Sequence, residues 1–314
     1  MYQGRLRIFG RNVGRGKRRI IVILILVFLS SNFFNRVSAE NIKLDNLNIK
    51  PEDLKKNFNP VANKFNEKTI TTIIIDAGHG GKDPGSIGIN KLREKDIVLS
   101  FSLELKEELK KILPNVDIFL TRDKDIYPTL QERYKIANAS AKIDSEKSKN
   151  ALFISVHANA SLSPNAKGFE AYFITAQESS EYARAVSILE NSALVKFDKV
   201  DASKYEENAS QLTHNYMLVE QHQKESRLLA QSIVDEVYKV SGVSKRNKPV
   251  QNALFYVLKG SLMPSTLIEI GFITNEEDAK FMNAKDTRIK MVKATANGIK
   301  KYIKEFEDTK GFTK

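Results

Sequence analysis

Residues 71–81 read TTIIIDAGHGG, an apolar run that passes at once into a glycine-rich loop. The consecutive branched side chains of Ile73, Ile74 and Ile75 predict a short strand that is buried on both faces, as in a parallel sheet. Open α/β sheets bind ligands at the carboxyl ends of their strands. His79, which lies just beyond such an end, is therefore a candidate functional residue.

Helix and strand patterns alternate on the C-terminal side of this stretch. An apolar stripe recurs every four residues from Ile97 to Leu109 and predicts a helix over 96–113. Strands are also predicted at 116–120, 151–156, 170–174 and 266–270, and helices at 129–139, 182–191 and 213–240. This alternation predicts an α/β fold, a single domain with a central, mainly parallel sheet flanked by helices.

The N-terminal residues 1–39 have the features of a secretory signal peptide. A basic stretch precedes ten apolar residues, Ile20–Leu29, and the small residues of Val37–Ala39 suit a signal peptidase. A helix of ten residues spans about 15 Å, half the hydrocarbon thickness of a bilayer. We expect cleavage and export to the periplasm, the cell envelope or the medium, with an uncleaved anchor as the alternative. Residues 40–68 are predicted to be a linker, and 69–308 the catalytic domain.

Composition excludes several classes of function. The chain has 314 residues and a formal net charge of +12, but eight of its 50 basic residues lie in 1–39, which holds no acidic residue. The remainder has 42 basic against 38 acidic residues, a net charge of +4. With no interleaving of basic and aromatic residues, a nucleic-acid partner is not expected. The absence of cysteine excludes disulfides, thiolate metal sites and a cysteine nucleophile.

Four ionisable side chains stand at or near predicted strand ends. His79 follows the first strand, His157 closes the third, and Glu269 lies inside the last. Glu94 opens the first helix and is close enough in sequence to return to the His79 loop. A hydrolytic zinc ion takes about three protein ligands, such as two imidazoles and a carboxylate, and needs a separate carboxylate as general base. His79, Glu94 and His157 fit the ligand set, and Glu269 fits the base.

Each of these residues also has a simpler explanation. A histidine after a strand is more often a hydrogen-bonded structural residue, and Glu94 could only complement the helix dipole. The glycine-rich loop lacks the spacings of nucleotide-binding motifs, which argues against a phosphate site. Glu269 is harder to explain structurally, because an unpaired buried carboxylate costs several kcal/mol. From spacing, the residues indicate a metallohydrolase and no narrower class.

The separate sequence blocks resemble those of the zinc-dependent N-acetylmuramoyl-L-alanine amidases of the AmiA/AmiB/AmiC and CwlV type. They occur in the order of that family and cover about residues 69–304. The blocks are Asp76–Gly85 followed by Glu94-Lys95, Ser155–Asn159 and Leu267–Asn275, with weaker matches at Thr121–Asp123, Leu130 with Arg133, Ala137-Asn138 and Gly168–Glu170.

The resemblance implies one Zn²⁺ per chain, bound by His79, Glu94 and His157, with Glu269 as the catalytic carboxylate. It implies a peptidoglycan substrate and hydrolysis of the amide between N-acetylmuramic acid and the L-alanine of the stem peptide, in cell-wall remodelling or daughter-cell separation. A degenerate peptidoglycan-binding or regulatory protein without turnover is the alternative. A zinc peptidase or deacetylase acting on another exported substrate is a third hypothesis.

The chain departs from the family pattern in two places. The charged segment 142–150 is interpreted as a solvated loop, and residues 178–239 are predicted to form a helical insert before the last strand. In cell-division amidases of this type, an insert here can block the zinc until a LytM-domain activator displaces it. We therefore expect a regulatory insert, with Glu220 or Glu225 as candidate blocking residues. Removal of 199–210 with its flanks is expected to raise hydrolysis.

Two histidines in this insert suggest a second metal site as an alternative interpretation. His214 and His222 lie eight residues apart, so they share a helix face only loosely. A solvated or domain-packing surface is the favoured interpretation of this pair.

Overall fold

The structure, a computed structural model, describes residues 69–143, 150–175, 178–199 and 222–309. The predicted signal peptide, the predicted linker and most of the charged segment 142–150 lie outside these ranges and stay predictions. Within the described ranges, no helix combines the length and apolar composition that a membrane crossing requires.

The described ranges contain alternating strands and helices. The strands are β1 (Thr72–Ala77), β2 (Asp117–Leu120), β3 (Ala151–Asn159), β4 (Glu170–Phe173), β5 (Val250–Asn252) and β6 (Ser265–Phe272). The helices are α1 (Glu94–Ile112), α2 (Leu130–Ser140), α3 (Glu181–Asn191), α4 (Ala193–Lys196), α5 (Gln223–Val237), α6 (Tyr256–Lys259), α7 (Glu276–Asn283) and α8 (Lys285–Asp308).

The strands form one sheet in the order β2-β1-β3-β6-β4-β5. β1 pairs in parallel with β2 and β3, and β3 pairs in parallel with β6, whereas β4 is antiparallel to β6. The predicted α/β domain with a central, mainly parallel sheet is confirmed. Because β1, β3 and β6 are adjacent and parallel, their carboxyl ends meet at one edge of the sheet. That edge receives the segments that carry His79, His157 and Glu269.

Both faces of the sheet are covered, which explains the unbroken apolar run of β1. Ile73 and Ile75 belong to one buried cluster, which includes Phe101 of α1 and Ile299 of α8. Ile74 belongs to a second cluster, which includes side chains of α2, α3 and α6. Successive side chains of a strand point to opposite faces, so an apolar residue is needed at every position when helices cover both.

Three predicted helices correspond to α1, α2 and α3, and one prediction differs. The helix predicted over 213–240 begins at Gln223 and ends at Val237 in the structure, and residues 213–221 lie outside the described ranges. The sequence did not predict β5, which has three residues and pairs with β4 at the edge of the sheet. It also did not predict α8, in whose sequence the apolar residues of the buried face alternate with lysines of the exposed face.

A buried carboxylate joins three elements at the carboxyl end of β1. Asp76 is fully buried and accepts hydrogen bonds from Thr121 Oγ1 at 2.5 Å, Ser155 Oγ at 2.7 Å and Arg133 Nη1 at 2.9 Å. Burial opposes ionisation, but the charge of Arg133 and the two hydroxyl donors outweigh it, so the pKa of Asp76 is lowered. The ion pair thus fixes α2 against the sheet.

Asp76→Asn is expected to lower the free energy of unfolding by about 3 to 5 kcal/mol at pH 7, because it leaves the guanidinium of Arg133 buried without an anionic partner. A lowered pKa contributes stability that is present above the unfolded value of about 3.9 and is lost as the pH falls through the folded value. The difference between wild type and variant should therefore shrink below about pH 4. Urea denaturation at several pH values measures it, and a difference that stays constant with pH would contradict this account.

Candidate metal centre and active site

The structure brings three of the predicted residues into one cluster and adds a fourth. Ligand atoms of His79, Glu94, His157 and Glu190 all lie within 4.8 Å of one another. Glu94 Oε1 is 3.0 Å from His79 Nε2 and 3.2 Å from His157 Nδ1. Glu190 Oε2 is 3.4 Å from His79 Nε2 and 2.8 Å from His157 Nδ1. Two carboxylates thus face two imidazoles across one small space.

His79 occupies a backbone conformation that is unusual for a residue with a side chain. Its φ is 57°, in the left-handed region, and it is followed by Gly80 and Gly81, which also have positive φ. Such a conformation costs of order 1 to 3 kcal/mol and persists where the surroundings enforce it. The ring is oriented by Nδ1, which donates to Asp83 Oδ2 at 2.8 Å. This bond leaves Nε2 facing the cluster.

Glu94 is held by one backbone donor from the loop after β1 and one from strand β3. Its Oε2 accepts from the amide of Ser86 at 2.9 Å, and its Oε1 accepts from the amide of Ala158 at 3.0 Å. The side chain is fully buried. Burial opposes its ionisation, but the charge of His79 and the bond from His157 dominate, and the pKa of Glu94 is lowered. Glu94 is therefore an anionic, fixed member of the cluster.

The register of the sheet positions His157 and Glu269 side by side. They are paired residues on the adjacent parallel strands β3 and β6. Burial lowers the pKa of His157, but the carboxylate of Glu190 outweighs this effect and raises the pKa to about 10. Because metal ligands must be deprotonated, a bound cation would displace such a proton.

Glu269 has the surroundings of a proton-carrying carboxyl. It is fully buried, and neither of its oxygens has a hydrogen-bond partner among the described residues. Burial, and then the negative charge of Glu190, raise the pKa of Glu269 well above its usual range. The structure thus places this predicted residue next to the cluster, with a pKa raised above that of an ordinary glutamate.

Glu190 is the residue that the sequence reasoning missed. It lies near the end of α3 with 9% of its surface exposed. Burial opposes its ionisation, but the interactions with His157 and His79 outweigh burial and lower the pKa of Glu190 to about 2. The sequence did contain a signal, since Ala183, Val186 and Glu190 recur at helical spacing on the buried face of the predicted helix. An acidic residue on an apolar stripe indicates a buried partner of opposite charge.

Of the two residues predicted to block the site, the structure describes Glu225 and places it elsewhere. Glu225 is buried in α5, where it interacts electrostatically with Tyr302 rather than with the cluster, and Glu220 lies outside the described residues. His222 precedes α5, and burial lowers its pKa to about 4. His222 is not part of the metal-ligand cluster found among the described residues, and His214 lies outside them.

The donor set suits a divalent zinc ion. Two imidazoles with one or two carboxylates are typical zinc ligands, and the cluster contains both types within one space. His79 Nε2 and Glu190 Oε2 are buried and make no hydrogen bond, although each lies close to an oppositely charged group. Atoms that face one shared space without bonding to each other are typical of metal ligands. The residues therefore fit a metal ion.

A family model described as N-acetylmuramoyl-L-alanine amidase matches residues 73–301. This range includes the four residues of the cluster and Glu269. This chain belongs to that amidase family. The family resemblance predicted from the sequence is therefore confirmed.

Curated members of the amidase family are similar over most of this chain. AmiA of Escherichia coli strain K12 is 31% identical, and the match covers 81% of this chain and 83% of that protein. AmiC of Neisseria meningitidis serogroup B is 30% identical, and the match covers 80% of this chain but 57% of that protein.

Solved amidase structures share the fold. AmiC2 of Nostoc punctiforme matches with a TM-score of 0.52 and 27% identity, covering 76% of this chain and 98% of that one. CwlD of Clostridioides difficile, solved in complex with the lipoprotein GerS, matches with a TM-score of 0.51 and 25% identity, covering 75% and 99%. The described sheet and its flanking helices are thus the amidase fold.

Close packing of the His79 loop on His157 gives a test of this geometry. A Cβ added at Gly78 would lie 2.5 Å from the imidazole of His157, so Gly78→Ala is expected to destabilise the protein by about 1 to 3 kcal/mol. In a His157→Ala background the clash is removed, and the same substitution should cost less. A double-mutant cycle from thermal or urea denaturation measures the coupling. Equal costs in both backgrounds would show that the loop does not pack on this ring.

Proposed function

We propose that the protein is a peptidoglycan hydrolase that cleaves the amide bond between N-acetylmuramic acid and the L-alanine of the stem peptide. The observation that carries this proposal is the convergence of His79, Glu94 and His157 beside the buried carboxyl of Glu269, in a chain of the amidase family. The biological roles that follow are cell-wall remodelling or daughter-cell separation.

His79, Glu94 and His157 would hold one Zn²⁺ per chain. When bound, the zinc ion supplies a Lewis acid that polarises the scissile carbonyl and makes a water molecule nucleophilic near neutral pH. Neighbouring buried residues fix the orientation of the ligand side chains. Asp83 orients His79 through its Nδ1, and two backbone amides orient Glu94. Such supporting bonds fix the direction of each ligand before substrate arrives.

Glu269 is assigned the proton transfers. It lies opposite His157 in the sheet, close to the space that the metal ligands share. A carboxyl whose pKa is raised towards neutral pH can accept a proton from the attacking water and then donate it to the departing alanine nitrogen. The leaving amine needs this proton, because an amide anion is a very poor leaving group.

Glu269→Gln is expected to abolish turnover while leaving metal binding intact, because glutamine has a similar shape but cannot carry the transferred proton. Release of soluble peptide from purified sacculi should fall by at least about 100-fold. Zinc content of the purified variant, measured by mass spectrometry, should match that of wild type. The substitution Glu276→Gln on the exposed start of α7 is the matched control.

Two outcomes of that experiment would contradict the proposal. Peptide release by the Glu269→Gln variant or by chelator-treated protein would exclude the assigned chemistry. Wild-type protein that binds sacculi without releasing peptide would favour the degenerate binding protein instead. The product separates the third hypothesis, since an amidase releases stem peptides with an N-terminal alanine and leaves glycan strands intact.

We also propose that α3 closes the site in the form described by the structure. Glu190 approaches both histidines and thereby occupies a position that water or substrate would need. The helix is anchored at its start by Tyr182, whose hydroxyl donates to Glu170 Oε2 at 3.0 Å and accepts from Asn159 Nδ2 at 3.0 Å. The predicted regulatory insert thus has a specific contact with the candidate ligands, through Glu190 rather than Glu225.

The segment after α3 is anchored as well. Asp198 accepts from the hydroxyl of Tyr127 at 2.7 Å and from the amide of Leu130, at the start of α2, at 3.1 Å. Lys82 donates to the carbonyl of Phe197 at 2.8 Å. These contacts tie both ends of the α3–α4 segment to the catalytic domain, and they would have to break for the site to open.

Glu190→Ala is expected to raise basal peptide release from sacculi on the order of tenfold, equivalent to removing about 1.4 kcal/mol of closed-state stabilisation. Loss of the carboxylate removes its attraction to His79 and His157. Glu181→Ala, on the exposed start of the same helix, is the matched control and should leave the basal rate unchanged. An unaltered rate for the Glu190 variant would show that α3 does not restrict access.

An activator protein that displaces α3 is the partner that this arrangement requires. Ile188, Leu189 and Val195 of the α3–α4 segment are exposed, at 59%, 43% and 57% of their surface. The solved complex of CwlD with a lipoprotein supports the idea that amidases of this fold act with protein partners. For a peptidoglycan substrate, the chain must be exported, as its N-terminal residues predict.

A further inference from the structure

The carbonyls of three successive residues in the His79 loop receive hydrogen bonds from buried guanidinium groups. Arg133 donates to the carbonyl of Ala77 at 2.7 Å and to that of His79 at 2.7 Å. Arg122 donates to the carbonyl of Ala77 at 2.9 Å and to that of Gly78 at 2.7 Å. Arg133 therefore bonds to the backbone of a predicted metal ligand, and both arginines bond to the backbone just before it.

Both arginines are themselves fixed. Arg133 is 1% exposed, and Asp76 and the carbonyl of Pro128 accept its remaining bonds. Arg122 is 2% exposed and also donates to the carbonyl of Lys95, the residue that follows Glu94. The pair thus connects the loop of one metal ligand to the helix that carries another.

The conformation of His79 gives these bonds a role beyond general stability. A residue with a side chain and a φ of 57° relaxes to another conformation unless its neighbours prevent it. In the observed conformation, Nε2 of His79 faces the cluster. Donors to the carbonyls on both sides of this residue oppose the backbone rotation that would turn the ring away.

We propose that Arg133 and Arg122 are positioning residues for the metal centre, which hold His79 in its ligating conformation. The proposal rests on the metal-dependent function given above and assigns these two side chains a part in it. The planar guanidinium is the required group, because its donors diverge in fixed directions and reach several carbonyls at once. A lysine ammonium keeps the positive charge beside Asp76 but is a single point donor without that geometry.

If Arg133 had only a structural role, its replacement by lysine would lower stability without a specific loss of zinc affinity. Arg288 offers a matched comparison within this chain. It is 8% exposed, forms two bonds of 2.8 Å to Glu104, and donates to the carbonyls of Met282 and Asn283 at 3.0 Å. It therefore has the same kind of ion pair and carbonyl bonds as Arg133, but at helices α7, α8 and α1, without contact with the His79 loop.

The test compares zinc affinity and stability in Arg133→Lys and Arg288→Lys. Zinc dissociation constants of purified proteins are measured by competition with a chromophoric chelator, and melting temperatures are measured without added metal. Both variants are expected to melt at a lower temperature than wild type. Arg133→Lys should bind zinc about 10- to 100-fold more weakly, as is typical when a group that orients a ligand is lost, whereas Arg288→Lys should bind like wild type.

Three results would overturn the proposal. Equal zinc affinity of Arg133→Lys and wild type would show that the guanidinium of Arg133 is not needed to position His79. Equal weakening of zinc binding in both variants would show a general effect of destabilisation. Wild-type protein that binds no zinc would overturn the metal assignment first, which distinguishes the two failures. If Arg133→Lys does not fold, Arg122→Lys takes its place in the same measurement, with the same expected weakening.

Discussion

The parallel register of β1, β3 and β6 is the constraint on which the site depends. It sets Asp76 opposite Ser155 and His157 opposite Glu269. Residues far apart in sequence become neighbours because hydrogen bonds between parallel strands fix their relative positions. A shift of one residue would turn every side chain of a strand to the other face. The helices on both sides of the sheet make such a shift unfavourable, since it would exchange the two apolar cores.

Charge complementarity then determines the state of each group at that edge. Burial disfavours every charged form, yet imidazoles and carboxylates that face each other stabilise the ionised pair. Glu94 and Glu190 are therefore held as anions and the histidines as their partners. Glu269 lacks a hydrogen-bonding partner in the described residues, and burial raises its pKa instead. Similar carboxyl groups thus acquire different pKa values, which suit the different roles proposed for Glu94 and Glu269.

The same charges connect the candidate metal ligands to helix α3. The histidines that fit a metal also attract Glu190, so the proposed closed form would be stabilised by the groups that it covers. Bonds at Tyr182 and Asp198 define how the α3–α4 segment is attached. A cavity of about 340 Å³ remains between this segment and the loop that includes Asp83 and Ser86. Opening of the site by displacement of α3, as proposed above, would break these polar contacts together with the apolar packing of α3 and α4 in the second buried cluster.

The sequence by itself determined the alternation of strands and helices, the confirmed fold class and the amidase family, because these depend on local periodicity and on short motifs. It also selected His79, Glu94, His157 and Glu269 as candidates from their places beside strands and a helix start. Only the tertiary structure decided that these groups meet, and that Glu190 joins them. The reason is physical: periodicity showed that α3 has a buried face, but which charged group that face meets depends on how the helix docks against β3 and the His79 loop.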